Sequence, residues 1–309
     1  TAPGLATISL AGAEKLFAGM PGGGKAVFDA AEGKGANPKR GPMPGNARVA
    51  LKSEVARVPS SNIAGLLEGS DPALKDQVVV LSAHLDHVGP CPEVNGDAIC
   101  NGAMDNAMGI ASMIEVAHGF KHLGVKPKRS ILFLAVTAEE KGLVGADYFA
   151  NNPTFPKANL VADVNLDMPV ITYDFKDVVA FGAERSSIGP AVARAGASMG
   201  IALVPDPEPE QGIFTRSDHY RFVQQGIPSV FLVTGPGGEG AVAGKAFQKT
   251  HYHQPSDDLK LPFVWSSGTR FVALNLAIAR DLADAPDRPR WNKGDFFGTL
   301  YNGYGATGK

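Results

Sequence analysis

Residues 77–84 read "QVVVLSAH", four large aliphatic residues in succession and then a polar end. A strand with one wet face alternates polar and apolar residues. An unbroken apolar run implies a strand covered on both faces, as in a parallel sheet between helices. The signature returns in "RSILFLAVTAEE" (129–140), "ANLVADVNLDM" (158–168), "DVVAFG" (177–182) and "IPSVFLVTG" (227–235). Between and after these runs lie stretches with helical spacing: 107–124, 141–153, 188–200, 217–226 and the long 262–284. Several of them stop at Gly or Pro. This alternation predicts an α/β fold, a three-layer sandwich with a mixed, mostly parallel central sheet and helices on both faces.

Toward the N-terminus the signals weaken. Residues 9–20 read as a short helix, and 18–46 as a largely Gly/Pro-rich loop. Residues 47–58, "ARVALKSEVARV", alternate like a half-buried strand, and 61–70 read as another, which predicts a hairpin. The expected organisation is an N-terminal segment, 1–47, packing on a single domain, 48–309.

The chain has 309 residues, 44% of them hydrophobic, enough for a substantial core without staples. A net charge of -2 gives no electrostatic reason to expect nucleic acid or an anionic membrane surface as partner. No run approaches the roughly 18 apolar residues of a membrane span. The first residues lack a basic, then apolar export signal, and a chain that starts at Thr1 without Met reads as processed or truncated. Cys91 and Cys100 are the two cysteines and close a short Gly/Pro-bearing loop. The expected disulfide is worth about 2–3 kcal/mol in a chain-entropy model. It implies an oxidising compartment, periplasmic or secreted.

In open α/β sheets, ligands bind outside the carboxyl ends of the strands. There the sequence gathers His84, Asp86 and His87 in "AHLDHVG", Asp105 in "NGAMDNAMG", Glu139 and Glu140 in "TAEEKG", and Asp167 in "NLDM". Downstream, "THYHQPSDD" adds His251 and His253. Singly, each has a plain structural reading: Asp105 as a helix N-cap, His84 as a hydrogen-bonded core histidine, the two glutamates as a solvated helix start. Together they are harder to dismiss, because converging carboxylates repel unless a cation sits among them. Two imidazoles, several carboxylates and no thiolate suit zinc, with manganese or cobalt as substitutes. Five such groups fit two metals sharing one bridging carboxylate.

"AHLDHVG", "NGAMDNAMG", "TAEEKGLVGA", "NLDM", "RSDHYRF" and "YHQPSDD" resemble, in order and spacing, the M28 family of zinc aminopeptidases, over about residues 60 to 285. The resemblance implies a zinc-peptidase fold with a mixed sheet of about eight strands. It implies His84 and Asp167 on one Zn2+, Glu140 and His253 on the other, and Asp105 as bridge. Glu139 becomes the general base that takes the proton of the attacking water and passes it to the leaving amine. Asp86 becomes the carboxylate that fixes the His84 tautomer. Tyr252 matches a tyrosine that stabilises the oxyanion in some members, with pocket packing as its other reading. His251 is the rival of His253. His87, His118, His122 and His219 are expected to be structural or exposed, and the roles of Arg216 and Asp218 stay open. Long members carry a protease-associated domain just before a segment like that at the start of this chain.

The function expected is a dizinc aminopeptidase acting on peptides with a free N-terminus. The alternatives are a single-zinc glutaminyl cyclase, a carboxypeptidase acting on acidic peptides, and a non-catalytic receptor-like module. The carboxypeptidase needs a basic pocket, which the sequence does not display.

Overall fold

The computed structural model describes residues 7–20, 22–32, 50, 52, 54, 56–124 and 126–307. These form two units, divided between Val58 and Pro59. The first holds helices α1 (Leu10–Phe17) and α2 (Gly23–Glu32). Ser9 caps α1, its Oγ accepting the N–H of Gly12 at 3.2 Å. The second helix corrects the loop expected over 18–46: its neighbouring glycines masked the helical run "KAVFDAAE". The strand expected over 47–58 falls largely outside the described residues.

The second unit contains β1 (Ile63–Leu67), β2 (Val78–His84), β3 (Gly89–Val94), β4 (Asp97–Cys100), α3 (Met108–Leu123), β5 (Ser130–Val136), α4 (Val144–Asn151), β6 (Leu160–Leu166) and β7 (Asp177–Phe181). It continues with α5 (Ile188–Ser198), β8 (Ala202–Val204), α6 (His219–Val223), β9 (Ser229–Thr234), α7 (Gly240–Thr250), α8 (Trp265–Asp284) and α9 (Phe296–Leu300). Seven strands form one sheet in the order β1-β5-β2-β6-β9-β7-β8, and β3 pairs with β4 in a separate hairpin. The four strands β5, β2, β6 and β9 run parallel to one another, while β1 runs antiparallel to β5, and β7 runs antiparallel to β9 and parallel to β8. The expected hairpin involves residues largely outside the described ones; among the described residues, β1 takes its partner from β5, far along the chain. β5 offers β1 a long apolar edge.

The double burial read from "QVVVLSAH" has a direct cause. Val79, Leu81 and Ala83 enter the core cluster with Val116 and Phe120 of α3 and with Phe271, Leu274 and Ile278 of α8. Val78 and Val80 enter the cluster with Ala146 and Phe149 of α4 and Phe222 of α6. Truncating a fully buried side chain such as Leu81 to Ala costs about 2–5 kcal/mol.

The order of strands also places the site. After β2 the sheet grows to one side with β5 and to the other with β6, so a crevice opens above the carboxyl end of β2. Register aligns what lines it: His84 lies beside Val136, and Ser82 beside Asn165, so Asp167 ends level with His84.

Candidate metal centre

His84 closes β2 fully buried, and its Nδ1 lies 2.9 Å from the backbone carbonyl of Asp86. A carbonyl only accepts, so Nδ1 carries a proton, and Nε2 is the nitrogen turned toward the carboxylates. That Nε2 sits 3.2 Å from Oδ1 of Asp105 and 3.2 Å from Oδ1 of Asp167. The other oxygen of Asp105 turns the opposite way, 3.4 Å from Nε2 of His253. Nε2 of His253 is in turn 3.2 Å from Oε2 of Glu140. Asp105 thus stands between two groups of donors, His84 with Asp167 and His253 with Glu140.

The local chain explains these positions. Asp105 lies in a tight turn, residues 103–107, ahead of α3, and its peptide bond to Asn106 is cis. Asn106 ties that turn to β6, donating to the Leu166 carbonyl at 3.0 Å and accepting the N–H of Gly109 at 3.0 Å. A Cβ on Gly109 would meet Asn106 Oδ1 at 2.1 Å and the Leu166 carbonyl at 2.5 Å, so only glycine lets α3 begin here. Ala138, Met168 and His253 adopt positive φ of 55°, 45° and 54°. Each is a ligand-loop residue or the immediate neighbour of one, so backbone strain gathers at the site.

Charge confirms how unusual the cluster is. Burial would lower the His84 pKa, but the Asp167 and Asp105 carboxylates outweigh it and hold it well above the ordinary value. Burial works against ionised Asp105 too, yet hydrogen bonds from His253 and His84 keep it below the usual carboxylate range. For Glu139, burial dominates and the carboxylates of Asp167, Glu140 and Asp105 add to it, against the pull of His84. Its pKa is pushed up to about 8. No hydrogen bond or ion pair holds the Glu139 carboxylate among the described residues. Burial likewise raises Tyr252 to about 12, so its hydroxyl stays a donor, and its ring stacks on His253 at 3.9 Å.

The donor set fits a divalent cation such as zinc. Separations of 3.2–3.4 Å match the ~3.3 Å between ligands about 2.0 Å from a tetrahedral ion. Oε1 of Glu140 and both ring nitrogens of His87 are buried, and among the described residues none has an aligned hydrogen bond.

Other sequence expectations meet mixed outcomes. The Asp86 carboxylate does not fix His84: its Oδ1 stays 4.0 Å from Nδ1, and the backbone carbonyl does that work. The carboxylate instead accepts the N–H of Glu139 at 3.0 Å and of Glu140 at 3.3 Å. His251 turns to Ser256 Oγ, 2.9 Å away, outside the cluster. His118 stands exposed on α3 near Glu115, and His122 bonds back to the His118 carbonyl. His219 is fully buried against the rings of Phe214 and Phe231, where burial pulls its pKa down to about 3. His87, expected to be structural or exposed, comes within 2.9 Å of Glu140 Oε1. Cys91 and Cys100 form the expected disulfide, which spans the β3–β4 hairpin.

Two contributors escaped the sequence reading. Ser217 donates to Asp167 Oδ2 at 2.6 Å and accepts from Asn165 at 2.7 Å. Asp257 accepts the N–H of Met104 at 2.8 Å and of Asp105 at 3.1 Å. Both lie inside quoted motifs, "RSDHYRF" and "YHQPSDD", but a carboxylate that binds backbone leaves no spacing signal of its own. Asp218, next to Ser217, is fully buried, and burial raises its pKa well above the ordinary value.

A cavity of about 790 Å³ opens from His84, Asp105, Glu139, Asp167, Tyr252 and His253. Met168, Val170, Phe181, Ile213, Phe231 and Val233 give it apolar walls, and Arg216, Lys245, Lys249, Asp206 and Glu208 also line it.

A mixed α/β sheet with buried His and carboxylate donors at its strand ends defines a metallohydrolase-like architecture. The profile of peptidase family M28 matches residues 62–287, and the chain belongs to that family. It is 26% identical over 244 residues to aminopeptidase Y of Saccharomyces cerevisiae, covering 75% of this chain and 41% of the relative. It is 31% identical over 233 residues to a probable glutamate carboxypeptidase of Arthroderma benhamiae, covering 70% of this chain and 29% of the relative. The chain therefore spans less than half the length of these curated relatives. The crystal structure of BSAP, a zinc aminopeptidase from Bacillus subtilis, superposes with a TM-score of 0.56 at 22% identity, covering 74% of this chain and 51% of that one. That likeness establishes the fold. Among the described residues, no helix is long and apolar enough to cross a membrane.

Proposed function

We propose that this chain carries the catalytic unit of a zinc aminopeptidase with two ions. Asp105 is the observation that supports it most: each of its oxygens faces a different imidazole–carboxylate group. His84 and Asp167 would hold one ion, His253 and Glu140 the other, with Asp105 between them. Bound zinc supplies Lewis-acid chemistry, lowering the pKa of water and polarising a carbonyl.

The protein's own groups divide the remaining work. Glu139 lines the cavity and has no partner among the described residues; with bound cations favouring its ionised form, its carboxylate would take a proton from water and return it to the leaving amine. Tyr252, protonated at any physiological pH, can donate to the developing oxyanion. The carboxylate surplus beside the cavity suits a substrate ammonium, and the apolar walls exclude water and receive a side chain. The substrate class is peptides with a free N-terminus. The catalytic unit lies within 48–309, with 1–47 as an N-terminal segment. The disulfide supports a periplasmic or secreted location.

An aminoacyl-anilide panel, run with and without chelator beside zinc counting, tests this reading. Hydrolysis that requires about two zincs per chain supports it. One zinc with cyclisation of N-terminal glutamine identifies a glutaminyl cyclase instead. No turnover of any anilide by the zinc-loaded protein refutes the aminopeptidase.

A second reading has one observation in its favour. Arg216, Lys245 and Lys249 line the cavity, the basic lining that a carboxypeptidase acting on acidic peptides requires. Asp206 and Glu208 line it as well, and Glu208 approaches Lys245 at 3.9 Å. The cations are thus largely offset, and the aminopeptidase remains the better supported. Release of a C-terminal glutamate from N-blocked peptides would decide for the carboxypeptidase.

A further inference from the structure

We propose that His87 is a third imidazole of the metal centre, a ligand of the second ion beside Asp105, Glu140 and His253. The inference rests on the metallopeptidase reading and goes beyond its ligand set. Three residues after His84, the chain leaving β2 brings Nδ1 of His87 to 2.9 Å from Glu140 Oε1 and 3.9 Å from Asp105 Oδ2. His87, Asp105 and Glu140 each offer one donor atom, all within 4.8 Å of one another.

Alignment separates a ligand from a hydrogen-bond donor. A donor aims its N–H at the oxygen it approaches. At 2.9 Å, His87 Nδ1 and Glu140 Oε1 nonetheless make no aligned bond, and both atoms are buried, as is Nε2. Two ligands of one ion behave this way, because each points at the ion and only skirts the other. A buried imidazole left with neither partner costs free energy, so an occupant is expected.

Packing holds the ring in place. A Cβ on Gly102 would meet His87 Cγ at 2.5 Å, so the glycine leaves the ring just enough room. From the other side, His253 packs edge-on at 5.5 Å between ring centroids. The consequence is an asymmetric pair of sites. Four protein donors close the second site, whereas His84, Asp105 and Asp167 leave an open position at the first. Water and substrate are then admitted at the His84 side.

Chelator-competition titration of zinc into the metal-free full chain tests the assignment. Wild type should take two zincs, and His87→Ala should lose more than about hundredfold in affinity for one while keeping the other. Removing an outer hydrogen-bond partner costs about 10–100-fold, so a loss within that range, or none, overturns the ligand role. Should His87→Ala not fold, X-ray absorption of the dizinc wild type decides. Three imidazoles shared by two zincs are expected, and two refute the proposal. A wild-type chain that takes no zinc at all overturns the metal reading together with this one, which a failure of the His87 variant alone does not.

Discussion

The carboxylate of Asp86 binds the backbone N–H groups of Glu139 and Glu140, at 3.0 and 3.3 Å. One side chain from the turn after β2 thus fixes the peptide units of both glutamates after β5. The paired glutamates point apart, Glu140 toward His253 and Glu139 into the cavity. Because the Asp86 carbonyl also fixes His84, Asp86 links the two sides of the site. Asp86→Ala should lower kcat about 10–100-fold, with the protein still folded, and Asp86→Asn, which keeps one acceptor oxygen, should retain more. Steady-state kinetics beside circular dichroism check this. Equal rates for both variants and wild type would refute the clamp.

Glu139→Ala should reduce turnover about 10²–10⁴-fold while zinc content is unchanged, since Glu139 touches neither donor group. Asp105→Ala should lose metal and activity together, because both groups depend on its carboxylate. Metal analysis of each purified variant beside its kcat separates the two roles. Near-normal turnover by Glu139→Ala would remove it from the mechanism.

What the sequence conveyed and what it hid divide along physical lines. Runs such as "QVVVLSAH" announce central strands because burial on both faces acts on every residue. Polar residues at their ends announce the site because the sheet geometry leaves them only the crevice. The edge strand β1 lacks that constraint: four of its five residues are exposed, so its pairing with β5 was not legible. The helix α2 was hidden by glycines at its start. Asp86, Asp257 and His87 show the harder limit. Their residue types were visible, but whether a carboxylate meets imidazole or backbone, and whether a histidine turns inward, depends on angles that no spacing records.

Asp257 illustrates the cost of such hidden contacts. It is fully buried, its carboxylate accepts the N–H groups of Met104 and Asp105, and its backbone carbonyl accepts that of Ala103 at 3.1 Å. It therefore joins the loop bearing His253 to the turn bearing Asp105. Asp257→Ala leaves two buried N–H groups unmet, at about 1–3 kcal/mol each. The melting temperature should fall by several degrees, and zinc should bind more weakly even where the fold is retained. Thermal melts and chelator competition measure the two effects, and unchanged zinc affinity in a folded variant would limit Asp257 to a purely structural part.

Glu139 also sets a pH signature on the metal-free chain. Its ordinary value is 4.5, and burial among carboxylates raises it to about 8 in the folded state. Between those values the folded chain keeps a proton that the unfolded chain has released. This group therefore opposes folding increasingly as pH rises from about 5 to 8, and by a constant amount above. Glu139→Gln cannot ionise and escapes that cost. In chelated protein, its stability advantage over wild type should be small at pH 5, grow toward pH 8 and then level off. Urea midpoints at several pH values give the measurement. Restoring zinc should shrink the gap, because nearby cations favour the ionised carboxylate, and an advantage that ignores pH or falls as pH rises would show that Glu139 is not held protonated by its surroundings.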